Sequence, residues 1–195
     1  MNAGESVRIA VIIGSTRHGR FGPTITQWFV GRAQRRRDLD IDVIDLATVA
    51  LPDVLVDDDE AQPESVQLLA TRLAAADAFV IVTPEYNGSF PASVKTAIDW
   101  YTDEWAAKPV TFVTYGRESG GANAAAALRQ VFGELNAVVI RRAVLLPCYW
   151  DQFAADGTWP KPNSCLDQTV TAMLDQLTWW AHALNTARTE QPCPN

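Results

Sequence analysis

Ala78-Phe79-Val80-Ile81-Val82-Thr83-Pro84-Glu85-Tyr86-Asn87-Gly88-Ser89-Phe90-Pro91 is the stretch from which the fold is read. It opens as an unbroken apolar run, Ala78 to Thr83, of the kind that forms a strand covered on both faces of a sheet. It breaks into a polar turn and passes at Pro91 into a helix, where Val94, Ile98 and Tyr101 recur at helical spacing. In open α/β sheets the loop at the carboxyl end of such a strand is where ligands sit.

The same alternation continues outward in both directions. Val7 to Ile13 reads as a β-branched strand buried on both faces, followed by the loop Gly14 to Thr24. Pro23 suits the first turn of a helix whose buried stripe is Ile25, Trp28, Phe29 and Ala33. Ile41 to Leu46 alternates as a strand. Pro52 to Pro63 is loop, and its acidic run Asp57 to Glu60 reads as solvated surface. Glu64 to Ala75 is helical, with Val66, Leu69 and Leu73 on one side. Pro109 to Thr114 is the fourth strand, and the loop Tyr115 to Gly121 leads to a helix with the stripe Leu128, Val131, Phe132 and Leu135. Val138 to Leu146 contains a fifth strand, Pro147 to Ser164 is irregular, and a last helix runs from about Asp167 to Ala187 with Val170, Leu174, Leu177, Ala181 and Leu184 inward. The expected fold is α/β: a single flavodoxin-like domain over residues 1–195, a three-layer sandwich with a five-stranded parallel sheet in the order 2-1-3-4-5 and helices on both faces. The chain is too short for an eight-unit barrel.

Net charge is −7, which disfavours nonspecific binding to nucleic acid or to an anionic membrane. The basic run Arg35-Arg36-Arg37 falls near a helix end, where cations suit the dipole. Cys148, Cys165 and Cys193 have no metal-type spacing and make an odd number, so no disulfide framework is expected and a reducing cytoplasm suits them. Cys148 reads as a packing residue. His18 and His182 give no zinc signature and no metal site is expected; His182 reads as a helix-surface or core residue. Met1 to Ser6 is polar, without the apolar core of a signal peptide, and no apolar run reaches membrane-spanning length.

The first loop suits an anion. Gly14, Gly19 and Gly22 let backbone N–H groups approach a ligand, and the loop delivers it to the N-terminus of the helix at Pro23, where unpaired N–H groups and the positive dipole end converge. Ser15, Thr16 and Thr24 add hydroxyls; Arg17 and Arg20 add charge-assisted donors. Two better-known phosphate loops fail to match. A Walker A loop would need Lys-Ser or Lys-Thr after Gly19, where Arg20-Phe21 stand, and Gly19 and Gly22 are only the last half of the dinucleotide fingerprint. A tight turn with solvated arginines is the plain alternative.

The loops after the third and fourth strands suit something flat with polar edges. Pro84, Tyr86, Asn87 and Gly88 offer a stiff turn, an aromatic face and a two-way amide; Gly116, Gly120 and Gly121 allow close approach, with a helix N-terminus nearby. A dipole end placed there would favour the anionic reduced form of an isoalloxazine ring at N1 and O2. Taken together, the loops suggest a flavin mononucleotide site, against the alternative that they are helix-initiating turns.

Gly14-Ser15-x-Arg17, then Pro84-Glu85-Tyr86-Asn87-x-Ser89-x-Pro91-x-x-x-Lys95-x-x-Ile98-Asp99-Trp100, then Gly120-Gly121 ahead of Leu128-Arg129, resemble the NAD(P)H-dependent FMN reductases, flavodoxin-like enzymes that include chromate, quinone and azo-dye reductases. The resemblance covers roughly Val7 to Val139. It implies FMN with its phosphate on Ser15, Arg17 and the segment Arg20, Phe21, Gly22, Pro23 and Thr24. It implies the ring against Pro84, Glu85, Tyr86 and Asn87, helped by the loop that carries Gly116, Ser119, Gly120 and Gly121. It also implies a homodimer or homotetramer with the flavin near a subunit interface. Many members carry Ser or another small polar residue where this chain has Arg20.

The function expected is an FMN-dependent oxidoreductase passing hydride from NADPH or NADH to bound FMN and on to a small-molecule acceptor (flavin, quinone, azo compound or metal oxyanion) in a ping-pong scheme. No acid–base residue is assigned, because the cofactor supplies the chemistry. Arg117 is a candidate for the nicotinamide cofactor's phosphates. The alternatives are a flavodoxin-type electron carrier that does not oxidise NAD(P)H and a cofactor-free interaction scaffold. A hydrolase is disfavoured because no Gly-x-Ser-x-Gly elbow is present.

Overall fold

The computed structural model describes residues 6–57, 59–191 and 193. Met1 to Glu5 of the polar leader and Asp58 of the acidic run lie outside them. The elements are β1 (Val7–Ile13), α1 (Gly22–Ala33), β2 (Leu39–Asp45), a short α2 (Leu46–Val49), α3 (Glu64–Ala74), β3 (Ala78–Pro84), α4 (Ala92–Asp99), β4 (Pro109–Gly116), α5 (Ala122–Glu134), β5 (Val138–Val139), β6 (Val144–Pro147), a single 3₁₀ turn (Tyr149–Asp151) and α6 (Ser164–Glu190).

The strands form one parallel sheet in the order β2-β1-β3-β4-β5, with β6 also alongside β4. This is the expected flavodoxin-like order, with one difference at the edge: the fifth strand is split. Val110 faces Val139 and Val113 faces Val144, so four residues on the outer strand span two on β4. The backbone groups that this bulge displaces find partners. The Arg129 guanidinium donates to the carbonyls of Ile140 and Arg141 at 2.9 Å each, and Thr111 Oγ1 donates to Arg142 O at 2.6 Å. A buried carbonyl left bare would cost roughly 1–3 kcal/mol, and these side chains avoid that cost at the sheet edge.

Every residue of β3 and β4 is buried, as central strands with two covered faces require. On one face Phe79, Ile81 and Phe112 pack against α3 (Val66, Leu69, Leu73), α4 (Val94, Ile98) and α5 (Leu128, Phe132). On the other, Ile9, Val11, Val80 and Val82 pack against α1 (Ile25, Trp28, Phe29, Ala33) and α6 (Val170, Leu174, Leu177, Ala181). Each such side chain contributes about 1.5–3 kcal/mol when fully buried. Three expected core positions are only half-buried: Val131 on α5, Leu135 at its C-cap and Leu184 on α6. Val131 and Leu135 still pack against the core from its edge.

The opposite, amino-terminal edge of the sheet is closed by polar side chains. Buried Lys108 donates to Leu73 O and Ala74 O at 2.9 Å each, satisfying the last carbonyls of α3. Desolvation, with Arg188 nearby, brings its ammonium down to about 8. Within the arginine run, Arg36 pairs with Asp38 and Asp175 at 2.6 Å each, tying the end of α1 to α6, while Arg35 and Arg37 face solvent. His182 is exposed on α6; Cys148 is half-buried and Cys165 exposed. Among the described residues no helix is long and apolar enough to cross a membrane.

Candidate functional site

Parallel strands place the loops after β1, β3 and β4 side by side at one edge of the sheet, and all the residues expected to form a site lie in these three loops, at the strand ends that open them or at the helix starts that follow them. The loops touch. The Arg17 guanidinium lies 5.7 Å from the centre of the Tyr86 ring, joining the first loop to the second. Glu85 joins the second to the third: its carboxylate accepts from Ser119 Oγ at 3.1 Å, from Asn123 N at 3.0 Å and from Asn123 Nδ2 at 2.9 Å. Pro84 is the last residue of β3, opposite Tyr115, and Gly116 lies against Glu85 and Gly121.

In the first loop Ser15 is buried, and its Oγ finds no hydrogen-bond partner in the protein. The Tyr115 phenol lies near this hydroxyl without completing a hydrogen bond. Burial pushes that phenol above its ordinary value, and the hydroxyl and Arg17 only partly offset this. A side chain at Gly22 would meet Ser15 Oγ at 2.4 Å and Ile13 Cγ2 at 2.9 Å, so only glycine lets α1 begin this close to the loop. Phe21 is the N-cap of α1 and Pro23 sits in the first turn. No side chain among the described residues caps this helix, and its first turn carries no acid. Thr24 is exposed there, and Arg17 is exposed with no carboxylate paired to it among the described residues.

Arg20 has a different partner from the one the sequence offered it. Its guanidinium grips Asp45 with both forks at 2.5 Å and donates to Ser15 O at 2.8 Å. The Asp45 hydrogen bond is the main reason that Arg20 is raised above its ordinary value. Partial burial pulls Asp45 upward, but Arg20 and the Ala47 N–H together hold it below the ordinary carboxylate value. Asp45 was the partner missed. The signal was available: a carboxylate at the end of β2, in a 2-1-3 sheet, lies at the same edge as the β1 loop.

The second loop is a two-residue hairpin turn. Tyr86 and Ser89 exchange backbone bonds at 2.8 and 2.9 Å, and both central residues have positive φ, 51° at Asn87 and 78° at Gly88. This is the type I′ geometry that Asn-Gly favours. It presents Asn87 at an exposed tip, while the Tyr86 hydroxyl is buried without a partner in the protein.

After the third loop, the N-terminus of α5 is occupied by Glu85. The carboxylate takes the Asn123 amide, and Ser119 Oγ takes the Gly121 amide at 3.2 Å. Partial desolvation would raise Glu85, but these hydrogen bonds outweigh it and keep the group ionised below its ordinary value. Glu85 is thus a cap for α5, not a proton donor at neutral pH. Gly121 is held at φ 89°, and a side chain there would strike Thr114 Cβ at 2.5 Å. Gly120 O accepts from Thr114 Oγ1 at 3.0 Å.

An aromatic cluster, in a segment that the sequence left open between a lid, an interface and simple edge cover, flanks the first loop. The Phe21 ring lies 4.9 Å from Tyr149, 5.9 Å from Phe153 and 5.1 Å from Trp159, and Tyr149 lies 5.0 Å from Tyr115. Two other hollows, about 140 Å³ between α1 and α6 and about 440 Å³ between α4 and α5, share no lining residue with the three loops. Among the described residues no cluster of His, Cys, Asp or Glu is arranged to hold a metal ion.

The donor set fits a flavin nucleotide. It offers an open helix N-terminus, an orphaned Ser15 hydroxyl and an unpaired Arg17 for a phosphate. Tyr86 and the backbone of the second and third loops suit a flat ring with polar edges. Comparison with known proteins agrees. The sequence profile of the NADPH-dependent FMN reductase family matches residues 7–151. The NAD(P)H-dependent FMN reductase LOT6 of Saccharomyces cerevisiae is 33% identical over 199 residues, covering 93% of this chain and 99% of that one. The quinone reductase of Escherichia coli strain K12 is 31% identical over 180 residues, covering 89% and 93%. Among solved structures, the flavoenzyme NAD(P)H:(acceptor) oxidoreductase FerB of Paracoccus denitrificans superposes with a TM-score of 0.73 at 27% identity, over 89% of this chain and 98% of that one. With the loop motifs inside the matched region, the chain belongs to the NADPH-dependent FMN reductase family and is an FMN-dependent oxidoreductase that uses NAD(P)H.

Proposed function

We propose that FMN lies across the carboxyl edge of the sheet, its phosphate on Ser15, Arg17 and the first turn of α1, its ring against Pro84 to Asn87 and the Gly116 to Gly121 loop, and that the electrons go to a quinone-type acceptor. The observation that carries this reading is the open N-terminus of α1 beside the unpartnered Ser15 Oγ and unpaired Arg17. Ser15 Oγ beside the first residue of α1, the open first-turn amides and the unpaired Arg17 of the same loop form a donor set suited to a phosphate. The chemistry supplied by the bound group is acceptance of hydride from NAD(P)H followed by delivery of two electrons to the acceptor, in alternating half-reactions at one open face.

The chain's residues bind and orient. Arg20, locked to Asp45, fixes the phosphate loop from β2 and does not itself carry free charge to the phosphate. Tyr86 and the hairpin tip at Asn87 border the ring, and the exposed Arg17 stacks near Tyr86, where phosphate and ring sites meet. No side chain is assigned proton transfer. The assembly proposed is a homodimer or homotetramer in the cytoplasm.

The test is anaerobic. Protein loaded with FMN and freed of excess is mixed with NADPH, then with a benzoquinone, while flavin absorbance is followed. Bleaching on NADPH and return of colour on quinone are expected. A retained flavin that neither NADPH nor NADH bleaches would instead identify an electron carrier, and protein that retains no flavin and quenches no flavin fluorescence would overturn the site.

A further inference from the structure

Two of the three rings that surround Phe21, those of Phe153 and Trp159, lie beyond residues 7–151, the part of the chain that the family profile matches. They belong to the segment between β6 and α6, which the sequence left irregular. The segment is tied to the site side of the sheet by its own backbone. Cys148 N donates to Gly116 O and Arg117 O at 3.1 Å each, at the start of the third loop. Within it, Lys161 N donates to Gln152 O at 2.7 Å and Ala154 N to Thr158 O at 2.8 Å. Trp159 Nε1 donates to Tyr149 O at 2.8 Å, fixing the indole against the 3₁₀ turn.

What the segment grips is significant. Phe21 is the residue whose carbonyl accepts the first helical bond of α1, from Ile25 N at 3.2 Å. Its peptide therefore sets where the first-turn amides point. The phosphate loop has two lateral supports: Arg20 on Asp45 on the β2 side, and the Phe21 ring in the Tyr149–Phe153–Trp159 cluster on the α6 side. Trp159 also lies 5.8 Å from Trp28, which is buried two turns further along α1, so a single indole touches α1 at its cap and in its body. Edge-on aromatic pairs of this kind are worth about 0.5–1.5 kcal/mol each beyond the area they bury. The unsupported alternative is a glycine-rich loop free to rotate its amides away from an anion.

We infer that Trp159, acting through Phe21, is a positioning residue for the phosphate end of the flavin site, and that the segment from Cys148 to Asn163 supplies this chain with a second anchor for its phosphate loop. The inference rests on the phosphate assignment proposed above. It predicts a selective effect. Riboflavin has the ring of FMN without the phosphate, so a displaced α1 N-terminus should weaken FMN and leave riboflavin nearly unchanged.

The experiment measures FMN and riboflavin affinity by flavin fluorescence quenching in wild type, Trp159→Ala, Trp159→Phe and Phe153→Ala, with thermal melting of each. In Trp159→Ala the FMN affinity should fall about tenfold, the scale of a misplaced hydrogen bond to a charged group, with riboflavin within about twofold. Trp159→Phe should restore most of the preference for FMN, because the ring against Phe21 is kept while the indole N–H is lost. Phe153→Ala should give a smaller loss of the same selective kind, and it carries the test if Trp159→Ala does not fold. Equal weakening of FMN and riboflavin, or an unchanged FMN affinity, would overturn the positioning role. Wild-type protein that bound FMN no more tightly than riboflavin would overturn the phosphate site itself, a failure visible before any variant is compared.

Discussion

Two helices begin at the carboxyl edge of this sheet from glycine-rich loops, and the chain treats their N-termini in opposite ways. α5 is closed: Glu85, from the neighbouring loop, takes the Asn123 amide, and Ser119 takes the Gly121 amide. α1 is open: no described side chain caps it and no acid stands in its first turn. Each helix end carries roughly half a positive charge. One is answered inside the protein and the other is left for a ligand. Glycine content does not distinguish the two loops; the carboxylate does. A negative chain of −7 can still direct one anion to one place, because its acids occupy the competing dipole and pair Arg20 while leaving Arg17 unpaired.

The largest way to break the contrast is to deform the closed end. Gly121→Ala places a methyl 2.5 Å from Thr114 Cβ at φ 89°. Left-handed backbone and overpacking together are expected to cost roughly 2–4 kcal/mol of unfolding free energy. Urea denaturation measures it, and a loss below about 1 kcal/mol would show that the loop yields and is not the rigid frame described.

Next comes the open end. Arg17→Ala should weaken FMN by about 1.5–3 kcal/mol, the usual worth of a hydrogen bond to a charged group, and leave riboflavin alone. Unchanged FMN affinity would remove Arg17 from the phosphate site and leave the contrast resting on the helix end and Ser15. A smaller effect is expected at the cap. Glu85→Gln keeps an acceptor but removes the charge, costing about 1 kcal/mol of stability in urea denaturation. Unchanged stability would mean that the carboxylate does not close α5.

The strands, the helices and the three loops were legible because apolar runs and helical stripes are local: Ala78 to Thr83 and the Ile25, Trp28, Phe29 face appear where periodicity placed them, whereas the strand order is a non-local property that the sequence suggested only as the usual five-strand α/β solution. Which loop was open was not legible, because that depends on partners distant in sequence. Arg20 meets Asp45, and Glu85 meets Asn123 across 38 positions. Composition alone made both arginines equal candidates for an anion; the fold pairs one and leaves the other. The split of the outer strand was hidden for a similar reason. Val138 to Leu146 is apolar enough to read as one strand, and the bulge rests on Arg129 and Thr111 from neighbouring elements. The aromatic grip on Phe21 was unreadable because the Pro147 to Ser164 segment has no periodicity from which a partner could be inferred.

The smallest effect separates the two helix ends by pH alone. Asp45 and Glu85 are both held below their ordinary values of 3.8 and 4.5. A group more acidic in the folded state stabilises the fold above its unfolded value, and that stabilisation is lost as pH falls through the depressed folded value. The melting temperature should therefore be insensitive to these two carboxylates between about pH 7 and 5 and fall in the acid range below about 4. A phosphate monoester changes from dianion to monoanion near pH 6, so the open end should lose FMN affinity by a few-fold over about pH 7 to 5, where the closed end is unaffected. Fluorescence titrations of FMN and riboflavin, run beside thermal melts, resolve the two windows. His18, exposed in the phosphate loop, is replaced by Gln in both samples. Falling FMN affinity with flat melting and flat riboflavin binding is the expected pattern. Melting that declined in step with FMN affinity would mean one titrating group governs both ends, and the separation of an open from a closed terminus would not hold.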